Sequence, residues 1–143
     1  MANQSRWRHL ISVAILAVAY LAWSGQGMAQ DDVDRAFARA TQLHESGDIE
    51  GAIRGYQAIL TTHPQRVDVR SNLGAAYSRL GRYEEAFAQY KQALSLDSHN
   101  QTIRFNLAVA YYKAAWFTEA ASELTQFLAA APKNNPRETS LTQ

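Results

Sequence analysis

Cysteine is absent from this chain of 143 residues. Disulfides, zinc–thiolate sites and thiol nucleophiles are thereby excluded, and cysteine usage gives no reading of the redox compartment. Charge of one sign is also lacking. The 14 Lys and Arg stand against 13 Asp and Glu, formally +1, so no bulk field draws the chain to nucleic acid or to a membrane surface. The sequence has only three prolines, and the apolar run from Leu10 to Trp23 holds only 14 residues, short of the about 20 that span a bilayer. No two histidines have the i, i+4 spacing of a helical zinc site: His44, His63 and His99 are scattered. No glycine loop cradles a phosphate, because Gly47, Gly51 and Gly55 end one helical segment and interrupt the next. Adjacent Glu84 and Glu85 do not face one another on a helix, and no motif sets a nucleophile beside a base. The chain is therefore read as no enzyme, with no cofactor, no metal and no nucleic-acid partner.

What is present is one domain's length of ordinary globular composition, 47% hydrophobic and 19% charged. The first 29 residues differ from the rest. Arg6, Arg8 and His9 precede the apolar run, and Ser24–Ala29 follows with Gly27 and Ala29 spaced as a signal peptidase requires. A secretory signal peptide over 1–29 is expected, cut between Ala29 and Gln30, with an uncleaved inner-membrane anchor as the alternative. No cysteine follows the run, so a bacterial lipoprotein is excluded. Loss of Arg6 and Arg8 removes two of the 14 basic side chains and none of the 13 acidic ones, so the mature chain is formally −1.

The remainder repeats with a period of 34. Ser71-Asn72-Leu73-Gly74-Ala75-Ala76-Tyr77 returns as Phe105-Asn106-Leu107-Ala108-Val109-Ala110-Tyr111. Ala52, Ala86 and Ala120 share one column, and Tyr56, Tyr90 and Leu124 another; Pro64 and Pro132 are two periods apart, with Ser98 between. Helical spacing predicts helices over Val33–Ser46, Ile49–Thr62, Val67–Leu80, Tyr83–Leu96, Gln101–Ala114 and Phe117–Ala130. Gly47-Asp48, Gly81-Arg82 and Ala115-Trp116 turn within the copies, and His63-Pro64 and Asp97–Asn100 turn between them. Asn100-Gln101-Thr102 is a glycosylation sequon on such a turn, meaningful only in a eukaryotic host. Gly51 and Gly55 lie inside the second helix, which each weakens by about 1 kcal/mol relative to alanine.

These residues resemble the tetratricopeptide repeat family, whose unit is a helix–turn–helix of 34 residues. The second copy matches through Leu73, Gly74, Tyr77, Gly81, Tyr83, Ala86, Tyr90 and Ala93. The third matches through Leu107, Ala108, Tyr111, Phe117, Ala120 and Pro132. The first fits at Ala40, Gly47, Ala52, Tyr56 and Pro64 but carries Arg39 where the family has leucine. The resemblance implies an all-α, right-handed solenoid over 30–134, with repeats at about 33–66, 67–100 and 101–134; the polar composition of 135–143, with Pro136, predicts a disordered tail.

It also implies where function resides. The inner surface of such a solenoid is built from the first helix of each pair. Here that is Phe37, Thr41 and His44, then Ser71, Asn72, Ala75, Ser78 and Arg79, then Phe105, Asn106, Val109, Tyr112 and Lys113. A groove of this kind suits an extended peptide or a partner helix. Chaperone-binding members of the family hold a carboxylate with lysines, asparagines and an arginine. Only Asn72 fits that clamp, which argues against heat-shock-protein tails as ligands. Arg39 adds charge at the N-terminal end. The last helix carries Leu124, Phe127 and Leu128 with no solvating helix after it; either this is a candidate self-association surface, or Phe127 tucks back against its own repeat or the array continues. The expected function is an exported adaptor or assembly factor, periplasmic or at the cell envelope, that binds a protein or peptide. The alternative is a membrane-tethered structural subunit that self-associates through its uncapped last repeat.

Overall fold

The computed structural model describes residues 30–130, which form six helices. The leader expected at 1–29 and the tail expected at 135–143 lie outside the described residues. Helix α1 covers 30–46, followed by α2 (Ile49–Thr62), α3 (Val67–Arg79), α4 (Tyr83–Leu96), α5 (Gln101–Lys113) and α6 (Phe117–Ala130). α1 starts three residues before its predicted first residue. Gln30 bonds Asp34 one turn on (3.1 Å) and Asp32 pairs with Arg35, and aspartates at a helix start favour the dipole. None of the described helices is long and apolar enough to cross a membrane.

Turn chemistry makes consecutive helices antiparallel. Gly47, Gly81 and Ala115, each 34 residues from the next, have φ of +94°, +75° and +63°. After α3, the Gly81 amide donates to the Ser78 carbonyl and the Arg82 amide to Tyr77 (3.0 Å); after α5, Ala115 donates to Tyr112 and Trp116 to Tyr111 (2.9 Å). That pair of bonds closes a helix end with a left-handed residue. An apolar or cation–π contact supports each turn: Trp116 stacks on Tyr111 at 5.9 Å, and the Arg82 guanidinium lies 4.7 Å from the Tyr77 ring. Side chains cap two helix starts. Asp48 accepts from the Gly51 amide (2.9 Å) and Asn100 from the Ile103 amide (3.2 Å).

The six helices make three hairpins stacked in chain order. α2 packs on α3 and α4 on α5. α3 also touches α5, whereas α2 and α4 do not touch, nor do α4 and α6. The layer containing α3 and α5 is therefore the tighter one and lies on the inside of the curve. A single apolar core runs through the stack, with Ala52 and Ala86 fully buried and Ala120 nearly so. These small residues let the paired helices approach. Of the two glycines inside α2, Gly55 has the same cause and Gly51 makes room for the helix's own cap. A Cβ on Gly55 would stand 2.8 Å from the Ala40 Cβ, and one on Gly51 would collide with the Asp48 cap.

Two arginines one period apart tie the two helices of their own hairpin to each other and to the preceding turn. Arg70 donates to the Pro64 carbonyl (2.8 Å) and reaches Gln89 and Gln92; Arg104 donates to the Ser98 carbonyl (3.0 Å), Glu123 (2.9 Å) and Gln126 (2.8 Å). The first hairpin has Ala36, Gly55 and Ala58 in those columns. An apolar groove of about 440 Å³ opens there between α1 and α2, with Arg39 and Asp32 among its lining residues. The N-terminal end is thus less closed than the charge of Arg39 implies.

Candidate functional site

The concave layer is fastened across its elements by arginines. Arg66, at the start of α3, pairs with Asp34 of α1 (2.9 Å) and with Asp68 (2.7 Å), and its guanidinium lies over the Phe37 ring. At the other end, Arg79 of α3 donates to the His44 carbonyl of α1 (3.0 Å). The Arg66 hydrogen bond holds the Asp68 and Asp34 carboxyls below their ordinary range. Burial, with the Arg79 charge second, lowers the His44 pKa.

The predicted groove residues fall into four groups. Phe37, Thr41 and His44 gather around Tyr56, which reaches through from α2. Its hydroxyl donates to Thr41 Oγ1 (3.3 Å), and the rings of Phe37 and His44 lie 6.0 and 6.4 Å away. Ala75, Ser78, Arg79, Asn106, Val109 and Lys113 line one cleft of about 420 Å³ between α3 and α5, with Tyr90 of α4 as a further wall. Ser71 and Asn72 belong to a second depression of about 560 Å³ at the opposite ends of the same helices, beside Arg66, Asp68, Asp97 and Asn100. Phe105 and Tyr112 are exposed but engage α6: Phe105 meets Phe127 at 5.6 Å and Tyr112 meets Phe117 at 5.7 Å.

Charge is graded along this face. The first cleft is lined by two cations and no acid, at the C-terminal ends of α3 and α5. The second mixes Arg66 with Asp68 and Asp97. Among the described residues no cluster of three His, Asp or Glu could hold a metal ion.

Sequence reasoning misses Tyr90, although the repeat columns carry the signal. Tyr56 and Tyr90 are equivalent, and Ala75 stands where Thr41 accepts the Tyr56 hydroxyl. At the C-terminal end the structure takes the second of the two readings of Phe127. Phe127 turns back onto Phe105 and is half-buried, while Leu124 and Leu128 stay 38% and 68% exposed and Phe117 61%.

Two family models match, one described as "Tetratricopeptide repeat" over residues 43–86 and one as "TPR repeat" over 79–114. No curated protein sequence matches the chain. Among solved structures, the type III secretion translocator chaperone SycD of Yersinia enterocolitica is similar, with a TM-score of 0.69 and 23% identity over 78% of this chain and 84% of that one. SycD in complex with a peptide of the translocator YopD gives 0.68 and 20%, over 76% and 83%. The second TPR of Spaghetti (RPAP3), bound to an HSP90 peptide, gives 0.64 and 21%, over 68% and 91%. At these identities the likeness is one of fold.

Proposed function

The chain belongs to the tetratricopeptide repeat family, and from that premise we propose that it is a non-catalytic interaction module that binds a peptide or partner helix along its concave face. The observation that carries this reading is the inner layer itself. α3 and α5 touch while α2, α4 and α6 splay apart, and the cleft so formed has an apolar floor and unengaged polar groups. Concave solenoid faces are the general binding surfaces of such stacks. The peptide complexes of SycD and of the Spaghetti TPR, which share the fold, support the reading. Three repeats, at about 33–66, 67–100 and 101–134, make up the module. The leader over 1–29 directs export, and the mature adaptor or assembly factor starts at Gln30 in the periplasm or cell envelope. N-terminal sequencing of the protein from its host should begin at Gln30; a Met1 start would favour the anchored form.

The test is capture of partners from envelope extract by the wild-type chain and by Ala75→Arg/Val109→Arg. The double variant should keep its helical circular dichroism and lose capture. Unchanged capture would remove the concave face from the mechanism. One observation favours a second reading. The outer side of α6 leaves Phe117, Leu124 and Leu128 exposed on one helix, as an uncapped stack would before a second copy covers it. Leu128→Glu should then lower the mass measured by light scattering. A monomer before and after substitution removes self-association.

A further inference from the structure

The last helix carries an apolar stripe that the first two hairpins bury and the third does not. Phe117, Ala121, Leu124 and Leu128 of α6 share columns with Tyr83, Phe87, Tyr90 and Leu94 of α4 and with Ile49, Ile53, Tyr56 and Leu60 of α2. In α4 that row meets the next hairpin: the Phe87 ring lies 4.2 Å from the Tyr111 ring and 5.2 Å from the Trp116 ring. Phe87 and Tyr90 are buried, as are Ile49, Ile53 and Tyr56, and Tyr83, Leu94 and Leu60 pack against the same core. In α6 the whole row is exposed, although contacts between neighbouring repeats are what stabilise such a stack. Of the nine large hydrophobics exposed among the described residues, six belong to the third hairpin, so the apolar excess sits at this end.

The chain's own segments differ in how well they cover this row. The α1 helix of a second copy would extend the stack end to end. Its outward face carries Arg35, Arg39 and Gln42, all exposed, in the columns of Val69, Leu73 and Ala76 and of Ile103, Leu107 and Ala110, all buried. Set on the α6 stripe, which holds no charge, Arg39 would lose water and gain no partner. Residues 131–143 offer Leu141 as their one large apolar side chain, too little to cover the row. The α6 stripe itself is self-complementary. Its residues are spaced by four, three and four, the same read from either end. Turned antiparallel about a two-fold axis through its midpoint, α6 sets Phe117 opposite Leu128 of the second copy and Ala121 opposite Leu124. Large then meets small at the centre, as facing helices need for close packing.

We infer that α6 pairs antiparallel with α6 of a second copy, closing a two-fold dimer through Phe117, Ala121, Leu124 and Leu128. The pairing rests on the stack associating through its last repeat, and it states how: like face to like face, closed at two copies, rather than end to end in a growing filament. The polar face of α1 then remains the solvated end, as a terminal repeat requires. The pair holds two concave faces, so a partner with two binding segments gains from the high effective concentration of the second.

Because the chain has no cysteine, single introduced cysteines report the geometry. Protein isolated from its host should have the mass of two copies by light scattering, and the mass should stop there as concentration rises. Equal amounts of Ala121→Cys and Leu124→Cys chains, oxidised together, should give the mixed disulfide in excess of the two homodisulfides combined. Arg39→Cys mixed with Leu124→Cys should give no mixed disulfide. Leu128→Glu, at a site 68% exposed, should keep the helical circular dichroism and raise the dissociation constant about tenfold or more. Ala121→Phe should raise it by a similar factor although it makes the stripe more apolar, because it fills the space opposite Leu124. A disulfide between positions 39 and 124 with a mass that climbs with concentration, homodisulfides in excess, or tighter association of Ala121→Phe overturns the two-fold pairing and leaves association through the last repeat standing. A monomer, or a dimer indifferent to Leu128→Glu, overturns both.

Discussion

At the level of single residues, the repeat columns explain which side chains are tolerated where. Ala115 occupies the left-handed turn position that Gly47 and Gly81 fill in the other hairpins. A Cβ there costs about 1–2 kcal/mol, partly offset by the smaller entropy of the unfolded chain. Ala115→Gly should therefore raise stability by about 0.5–1 kcal/mol in urea unfolding. Gly74 illustrates the opposite constraint. A Cβ on it would stand 2.9 Å from the ring of buried Tyr90. Gly74→Ala should lower stability by about 1 kcal/mol or more despite its better helix propensity. Adding Tyr90→Leu, which copies the Ala108 and Leu124 pair of the third repeat, should recover some of the loss in a double-mutant cycle. The turn at 115 could be read from the 34-residue period. The reason for Gly55 could not, because its constraint is the approach of α1 at Ala40, which sequence spacing does not display.

Between elements, Arg70 and Arg104 make polar ties that join the helices of the second and third hairpins. Arg104 and Glu123 have side chains only 15% and 18% exposed, and the guanidinium also closes the turn at the Ser98 carbonyl. Arg104→Ala should cost about 1.5–3 kcal/mol by thermal or urea unfolding, since it breaks charged hydrogen bonds and strands a half-buried carboxylate. Removing an exposed pair such as Arg35 with Asp32 should change stability by less than about 1 kcal/mol. Helix bounds were legible to within a residue for α2 to α6, because Gly, Pro and Asx turns punctuate them. The arginine ties were visible only as two arginines 34 apart with Gln or Glu in matching columns. Their partners depend on how neighbouring helices pack. The same columns, emptied at Ala36, Gly55 and Ala58, leave the N-terminal groove that Arg39 alone did not foretell.

For the molecule as a whole, pH dependence follows from the concave layer. His44 has a lowered pKa in the fold, so the unfolded chain binds a proton more readily. Its contribution to stability is full above the ordinary value of 6.5 and declines as pH falls below it. Asp34, Asp68 and Glu85 are lowered by arginine partners, and their contributions disappear as pH falls below the ordinary 3.8 for Asp and 4.5 for Glu. Stability should thus decline in two stages on acidification, and His44→Gln should flatten the first while leaving the second. The all-α solenoid was legible from the period alone. The cleft was only half legible: Ala75, Arg79, Asn106, Val109 and Lys113 come together between α3 and α5, while Phe105 and Tyr112 lie against Phe127 and Phe117 of α6, contacts that depend on how the two helices of the hairpin pack.

If the concave face meets the partner, site-specific photocrosslinking in the source cells should catch the two in contact. A photoreactive benzoylphenylalanine placed at Val109, inside the cleft, should give discrete adducts with a second protein. The same group at Leu128, on the outer side of α6, should give none with that protein. Adducts from position 128 alone, or from neither position, would contradict the account.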